Sequence, residues 1–308
     1  MARQQAPHVE EMLSLIERER ADACIISDRN YLFTVPHLTL TTRIVIDWCD
    51  SYSLFYWRAL CQSARSRSFG EIPGKLYEGV IRFLEEYYYA RFPQVNLVVS
   101  PVDQKAFRRV CPGATDVRVV LNGVDSGDSG AICKIPDRLV FSGRMDFPPN
   151  YEGALWFIDH VLPAIRRQRS SVHLVVVGAN PIPALVARQS SSVLITGMVE
   201  DMKVELAQAT LYVAPLVSGS GFKNKVFESI AAGTAVVGTS LAAEFLPPEF
   251  RNVVLVTRNA EEFASLVIRL LENPGVLSRE LSEARLLLRQ RFSWQARTAD
   301  LLSLLNAA

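Results

Sequence analysis

The sequence predicts an α/β protein built on parallel sheets, and three observations carry the prediction. Short apolar runs alternate with segments of helical period through all 308 residues, as in successive βαβ units. Runs such as RIVID (43–47) and HLVVVG (173–178) are close to continuously apolar, as expected of strands covered on both faces. Several end on glycine, among them Gly143, Gly178 and Gly197, where a turn at a strand end needs backbone freedom.

In chain order, a helix opens at Val9 and runs to Arg20. Four strands follow: ACII (23–26), RIVID (43–47), NLVVS (96–100) and VRVVL (117–121). The alternation then breaks at NGVDSGDSGAICKIPDR (122–138), where turn formers cluster and no period survives. A domain boundary is expected there, with a first domain at 1–122, a linker at 123–138 and a second domain at 139–308. The second domain begins with LVFSG (139–143), HLVVVG (173–178) and VLITG (193–197), and continues with LYVAP (211–215), AVVGT (235–239) and VVLV (253–256). Helices at Ala260 to Glu272, Leu277 to Gln290 and Trp294 to Leu305 close the chain.

Composition narrows the function. Hydrophobic residues make up 49% and charged residues 21%, an ordinary globular balance with enough apolar material for two cores. A net charge of +1 supplies no global field to attract nucleic acid. The five cysteines are odd in number and lack C-x-x-C spacing, which disfavours a disulfide framework and a zinc site and fits a reducing cytoplasm. The N-terminal residues carry no apolar signal region, and no window holds the ~18 apolar residues of a membrane span. Peripheral membrane contact stays open.

The stretch SGSGFKNKVFESIAAGTAVVGTS (218–240) is the first candidate site. Gly219 and Gly221 allow positive φ and close approach of a ligand, and a helix is expected from about Lys223. Its free N–H groups and positive dipole end suit a phosphate, with Lys223 and Lys225 adding charge. On a helical wheel Val226, Phe227, Ile230 and Ala231 form the buried stripe, Asn224 and Glu228 lie at its edge, and Lys225 points away. Glu228, one turn into the helix, is placed to accept two hydrogen bonds from a vicinal diol such as a ribose. The competing reading makes Glu228 a dipole-satisfying glutamate and Lys225 a solvated lysine.

The second candidate is FSGRMDFPPNYEGALWF (141–157). Arg144 follows Gly143 at the carboxyl edge of a strand, where open α/β sheets bind ligands, and a guanidinium there holds a diphosphate bidentately. The alternative is a surface arginine paired with Asp146. Gly178 and Gly197 belong to the same edge, so the glycine turns outline one cleft.

In the first half, Asp47 and Asp50 stand three apart at a strand end. They suit a metal or, in the favoured reading, a helix cap formed with Ser51. Arg58, Arg65, Arg67 and Lys75 lie against one acid, Glu71, near Trp48, Tyr52, Phe55, Tyr56 and Trp57. That grouping fits either an anionic lipid surface or acceptor, or a solvated helix and loop over a core stripe. All four histidines fall outside the glycine turns, and Walker A, G-x-G-x-x-G, H-E-x-x-H and Ser/His/Asp patterns are missing. Hydrolase, metalloenzyme and nicotinamide oxidoreductase readings are therefore poor.

Taken together, IDWCDSYSLFYWRA, VVLNGVD, FSGRMDFPPNYEGALWF, VVVGANP, ITGMVED and LYVAPLVSGSGFKNKVFESIAAGTAVVGTS resemble retaining glycosyltransferases of the GT-B fold, family 4 (glycosyl transferases group 1). The likeness is to the branch associated with bacterial exopolysaccharide systems, and it runs from about Asp47 to about Leu246. It implies two Rossmann-like domains, the second binding a nucleotide-diphosphate sugar as co-substrate without metal or other cofactor. A glycan or lipid-linked compound is the implied acceptor.

By position Glu228 matches the ribose-gripping second glutamate of the E-x7-E motif, and the first falls on Ser220. Arg144 matches the phosphate-binding arginine, and its companion lysine falls on Asn150, which brings Lys223 or Lys225 forward as substitutes. Arg144, Lys223 and Glu228 are the implied catalytic set. The segment Gly197, Met198, Val199 matches the base-lining backbone, while Gly143, Gly178, Gly219, Gly221 and Phe222 complete the implied donor site. Asp47 and Asp50 fall on the acceptor side, where Trp48 and Cys49 stand in place of the family's histidine. The family's opening strand and glycine-rich loop have no counterpart here, so the resemblance implies a shortened N-terminal domain. A truncated, non-catalytic nucleotide-sugar-binding or interaction subunit is the alternative.

Overall fold

A computed structural model describes residues 2–38, 42–65, 68–93, 95–125, 132–244 and 246–306, and the side chains of residues 9–304 among them. Arg67 and the middle of the expected linker, 126–131, lie outside the described residues. The chain is α/β and divides into two compact units. The first comprises Met1–Leu121, Ser220–Phe222 and Ala299–Ala308; the second comprises Asn122–Gly219 and Lys223–Thr298.

Unit 1 runs α1 (Ala2–Glu19), β1 (Ala23–Ile26), α2 (Val35–Leu38), β2 (Arg43–Asp47), α3 (Tyr52–Arg65), α4 (Ile72–Tyr89), β3 (Val95–Val98), α5 (Pro101–Val110) and β4 (Asp116–Val119). Its strands form a parallel sheet in the order β1-β2-β3-β4. The larger core, including Ile44, Ile46, Trp48, Val98 and Phe107, covers one set of side chains, while Val45, Val95 and Leu97 pack against Leu301 and Leu304. NLVVS ends as a strand two residues early because Ser100 caps α5, accepting a hydrogen bond from Asp103 N at 3.0 Å. Ser51 does the same for α3, accepting from Leu54 N at 3.4 Å, and the Asp47 carboxylate accepts from Cys49 N at 3.0 Å. Among the described residues no three His, Cys, Asp or Glu converge on a metal position, and no helix is long and apolar enough to cross a membrane.

A buried carboxylate ties α4 to the start of α3. Glu86 has no exposed surface and accepts from Tyr52 N at 2.5 Å, Ser53 N at 3.3 Å and Ser53 Oγ at 2.5 Å. Burial, with a smaller contribution from Asp103, pushes its pKa up to about 7. For an acid with a raised folded pKa, the unfolded state releases its proton first, so stability falls as pH rises from the unfolded value toward 7 and levels off above it. The shift corresponds to about 3 kcal/mol. Urea denaturation is expected to show Glu86→Gln gaining on the wild type between about pH 5 and pH 7.5. A pH-independent difference would contradict this.

Unit 2 begins with β5 (Arg138–Ser142), α6 (Pro148–Trp156), α7 (Leu162–Gln168), β6 (His173–Val177), α8 (Pro183–Val186) and β7 (Val193–Gly197). It continues through α9 (Met202–Gln208), β8 (Leu211–Ala214), α10 (Asn224–Ala231), β9 (Val236–Thr239) and β10 (Val254–Thr257) to α11 (Ala260–Glu272) and α12 (Ser278–Arg291). Its six strands are parallel in the order β10-β9-β8-β5-β6-β7. The chain builds outward from β5 to β7, returns to lay β8 beside β5, and builds outward the other way. That return makes a topological switch point between β5 and β8.

The last helix, α13 (Trp294–Asn306), leaves unit 2 and enters unit 1 at Ala299. The expected second domain, 139–308, thus differs from unit 2 at its end, because Leu301 and Leu304 pack against the unit 1 sheet. The described flanks of the expected linker are packed within unit 2: Val124 N donates to Phe292 O at 2.7 Å, and Ile135 N to Gln208 O at 2.8 Å.

Candidate functional site

Ligands in open parallel sheets bind outside the carboxyl ends of the strands at the switch point. In unit 2 the segments after β5 and β8 flank that place. The first turns on Gly143, whose φ of +146° is a glycine conformation. A Cβ there would lie 2.5 Å from Asn150 Nδ2 and 3.0 Å from Lys225 Nζ, so the missing side chain is what lets these polar groups approach the backbone. Gly178, with φ of +148°, is tighter: its Cβ would fall 1.8 Å from Gly143 O. Backbone hydrogen bonds lace the turns together, Gly143 N to Val177 O at 3.0 Å, Met145 N to Ala179 O at 2.8 Å and Gly178 N to Gly197 O at 2.9 Å. Gly197 itself has φ of +69° and open space where a Cβ would sit, followed by exposed Met198 and half-buried Val199.

The segment after β8 is held by α6 and β9. Gly153 admits Pro215 O, which a Cβ would meet at 2.7 Å, and Pro149 packs beside Gly219. Ser218 Oγ donates to Glu152 Oε2 at 2.7 Å, and Thr239 Oγ1 donates to Leu216 O at 2.6 Å. Sequence reasoning missed Glu152 and Gly153, because both act across the sheet edge on residues more than sixty positions away. Ser220, Gly221 and Phe222, implied as donor-site residues, group with unit 1. Gly221 there has φ of +75°, and a Cβ would overlap the Asp50 carboxylate at 1.9 Å.

Helix α10 follows; Lys223 at its N-cap position forms no side-chain cap, and Val226 N donates to Lys223 O at 2.9 Å, so the helix start offers an anion the N–H groups of Asn224 and Lys225. Lys223, at the N-cap position, is buried. Lys225 corrects the helical-wheel expectation that it points away. Its Nζ donates to Asn150 Oδ1 and stands 4.8 Å over the Phe141 ring. The reason is that α10 starts directly at the sheet edge, so its first turn faces the β5 exit rather than solvent. Burial first, and the charge of Lys223 second, bring the Lys225 pKa down to about 7, against an upward pull from Glu228. Asn150, buried on α6, completes the link by donating from Nδ2 to Arg144 O at 2.8 Å. Lys225 thus reaches the side chain at the position where the resemblance expected a lysine.

Arg144 adopts the alternative arrangement read from the sequence. Its guanidinium is 72% exposed and pairs with Asp146, Nε to Oδ1 at 3.1 Å and Nη2 to Oδ2 at 2.7 Å. That pairing holds the Asp146 carboxyl below the usual range. An exposed ion pair contributes little stability, so it offers a weak barrier to a competing anion.

One turn beyond Lys225, Glu228 lines a cavity of about 270 Å³ with Asn224, Gly123, Met202, Lys203 and Trp294. The carboxylate is open to the cavity yet ringed by protein, and that burial raises its pKa while Lys225 opposes the rise. Lys203 across the cavity is paired with Asp125 at 2.7 Å. Unit 2 therefore assembles one buried and one half-buried lysine at a helix start and, one turn further, a carboxylate at a cavity. These groups offer cationic and N–H donors to an anion and an acceptor pair to a diol.

Residues 136–273, from just before β5 to the end of α11, match the family described as glycosyl transferases group 1. No curated protein sequence matches the chain. Solved structures resemble it at low identity. The sucrose-phosphate synthase of Thermosynechococcus elongatus is 17% identical with a TM-score of 0.72, over 97% of this chain and 77% of that one. Anabaena HepE in complex with UDP-glucose is 16% identical with a TM-score of 0.73, over 100% and 84%. A glycosyltransferase from Rickettsia africae ESF-5 is 13% identical with a TM-score of 0.68, over 96% and 79%. These likenesses, with the two parallel sheets, show the GT-B fold.

Proposed function

We propose that the chain is a glycosyltransferase whose unit 2 binds a nucleotide-diphosphate sugar and supports transfer of the sugar to a glycan, lipid-linked or other acceptor. The observation that carries this reading is the convergence of buried Lys223 and half-buried Lys225, which is bonded to Asn150, at the start of α10, one turn before the cavity-lining Glu228. The diphosphate sits at the helix start and glycine turns, and the ribose diol reaches the Glu228 carboxylate. As the bond between sugar and diphosphate breaks, negative charge grows on the leaving phosphate. Lys225, Lys223 and Arg144, the last exchanging Asp146 for phosphate, hold that charge in place of a metal ion.

Reaction with retention, and a role in surface polysaccharide or glycoconjugate assembly on the cytoplasmic side of a membrane, follow from the family resemblance. Complexes of HepE with UDP and UDP-glucose make uridine diphosphate sugars the first donors to try. The non-catalytic reading predicts donor binding with neither transfer nor donor hydrolysis.

Glu228→Ala tests the assignment. It removes two hydrogen bonds to a charged acceptor, each contributing about 1.5–3 kcal/mol. Donor affinity is expected to fall at least tenfold while the thermal unfolding of the chain is retained. Unchanged affinity and transfer rate would overturn the assignment.

A further inference from the structure

Helix α4 is built inside out. The side turned toward the interior of unit 1 carries Lys75, Gly79, Arg82 and Glu86: the lysine and arginine side chains are only 18% and 11% exposed and Glu86 is fully buried. Gly79 sits tight on α3, where a Cβ would lie 3.1 Å from Tyr56 Cβ. The outward side carries Leu76, Tyr77, Val80, Phe83, Leu84, Tyr87 and Tyr88, each 41–67% exposed. At 100° per residue these seven side chains form a stripe roughly 140° wide along nearly the whole helix. A contiguous apolar face of this kind marks an interaction site.

Two features select what covers it. Six of the seven stripe residues pair about Arg82, Leu76 with Tyr88, Tyr77 with Tyr87 and Val80 with Leu84, while the position that mirrors Phe83 is the half-buried Ile81. In an isologous contact residue i meets residue j and j meets i, so a two-fold axis at the level of Arg82 sets these apolar pairs against one another. The charges also pair within their own neighbourhood. Lys75 meets Glu71 at 2.7 Å, and Arg82 meets Glu78 at 3.0 Å and Glu85 at 2.5 Å. The helix holds Lys75 and Arg82 against Glu78, Glu85 and Glu86, so it has no basic excess for the anionic lipid that a polybasic surface would seek. With an aromatic side chain offering about 150–250 Å², the half-exposed stripe presents on the order of 600 Å² per copy. A standard interface takes about 800 Å² per partner.

We propose that two copies of the chain associate through the outward face of α4, antiparallel about a two-fold axis at the level of Arg82. Residue 80 of one copy then faces residue 84 of the other. Sedimentation equilibrium on the full chain is expected to give a mass twice the 34.3 kDa of one copy at micromolar concentration. The double variant Val80→Glu with Leu84→Glu sets like charges opposite each other and is expected to weaken association at least a hundredfold. Val80→Lys with Leu84→Glu sets opposite charges across the axis and is expected to recover at least tenfold of that loss.

Both pairs of substitutions are on exposed positions, and circular dichroism verifies that each variant is folded. A wild type that stays monomeric at about 100 µM overturns the proposal, as does a dimer indifferent to the double glutamate variant. Failure of the lysine and glutamate pair to recover association overturns the antiparallel arrangement. A monomer that sediments with phosphatidylglycerol vesicles, and loses that binding in the double glutamate variant, reassigns the face to lipid.

Discussion

Lys225→Met is expected to lower kcat/KM for the nucleotide-sugar donor by about 10²–10³-fold, the loss seen when one preorganised charge-stabilising group is removed from a site. Methionine keeps the length and the contact with Phe141 and removes only the ammonium. The pH dependence sharpens the test. Burial and Lys223 hold the Lys225 pKa at about 7 in the unliganded protein, while a bound diphosphate favours the charged form and raises it. Donor affinity should therefore be greatest below about pH 7 and fall as pH rises through that value. Near pH 8, binding should take up close to one proton, detectable by calorimetry in buffers of different ionisation enthalpy, and Lys225→Met should lose that uptake.

Stability runs the other way. A lysine with a depressed folded pKa penalises the fold while charged, so the methionine variant gains most below about pH 7, and the gain shrinks as pH rises toward the unfolded value. A variant that lost both stability and activity at every pH would point to a packing role for Lys225 instead.

Gly178→Ala is expected to be the most damaging single methyl addition at the sheet edge. The new Cβ would lie 1.8 Å from Gly143 O, a backbone atom, at a φ of +148°. Strain of that backbone region costs about 1–3 kcal/mol by itself, and the overlap forces the two turns apart, breaking the hydrogen bonds from Gly143 N and Gly178 N. A total near 4 kcal/mol in urea denaturation, with loss of donor binding, is expected. Gly197→Ala is the matched control. It has positive φ, +69°, but nothing within 4 Å of the added methyl, so it should lose only about 1–2 kcal/mol. Equal losses at the two positions would show that backbone strain, not the close approach of the turns, sets the cost.

The strands were readable because their apolar runs are nearly continuous, and all ten lie within a residue or two of the expected positions. The small displacements have local causes. LVFSG stops at Ser142 because Gly143 leaves the extended region, and NLVVS stops at Val98 because Ser100 begins a cap. The start of α10 next to Lys223 was readable from the glycine loop ahead of it. The direction of Lys225 was not, since a wheel for an eight-residue helix does not say which way its first turn meets the sheet edge. Glu152 was hidden for a related reason: nothing in its own neighbourhood announces a contact with Ser218. The inverted α4 was hidden most fully, because periodicity finds the apolar face of a helix and assigns it inward by default.

In the proposed function, unit 2 holds a nucleoside diphosphate at the start of α10. Calorimetric titration of the chain with uridine diphosphate, and then with the other nucleoside diphosphates and their sugars, tests it most directly. Saturable one-to-one binding to at least one of them is expected, weakened at least tenfold in both Lys225→Met and Glu228→Ala. Lack of saturable binding to every compound, or binding that both variants leave untouched, would contradict it.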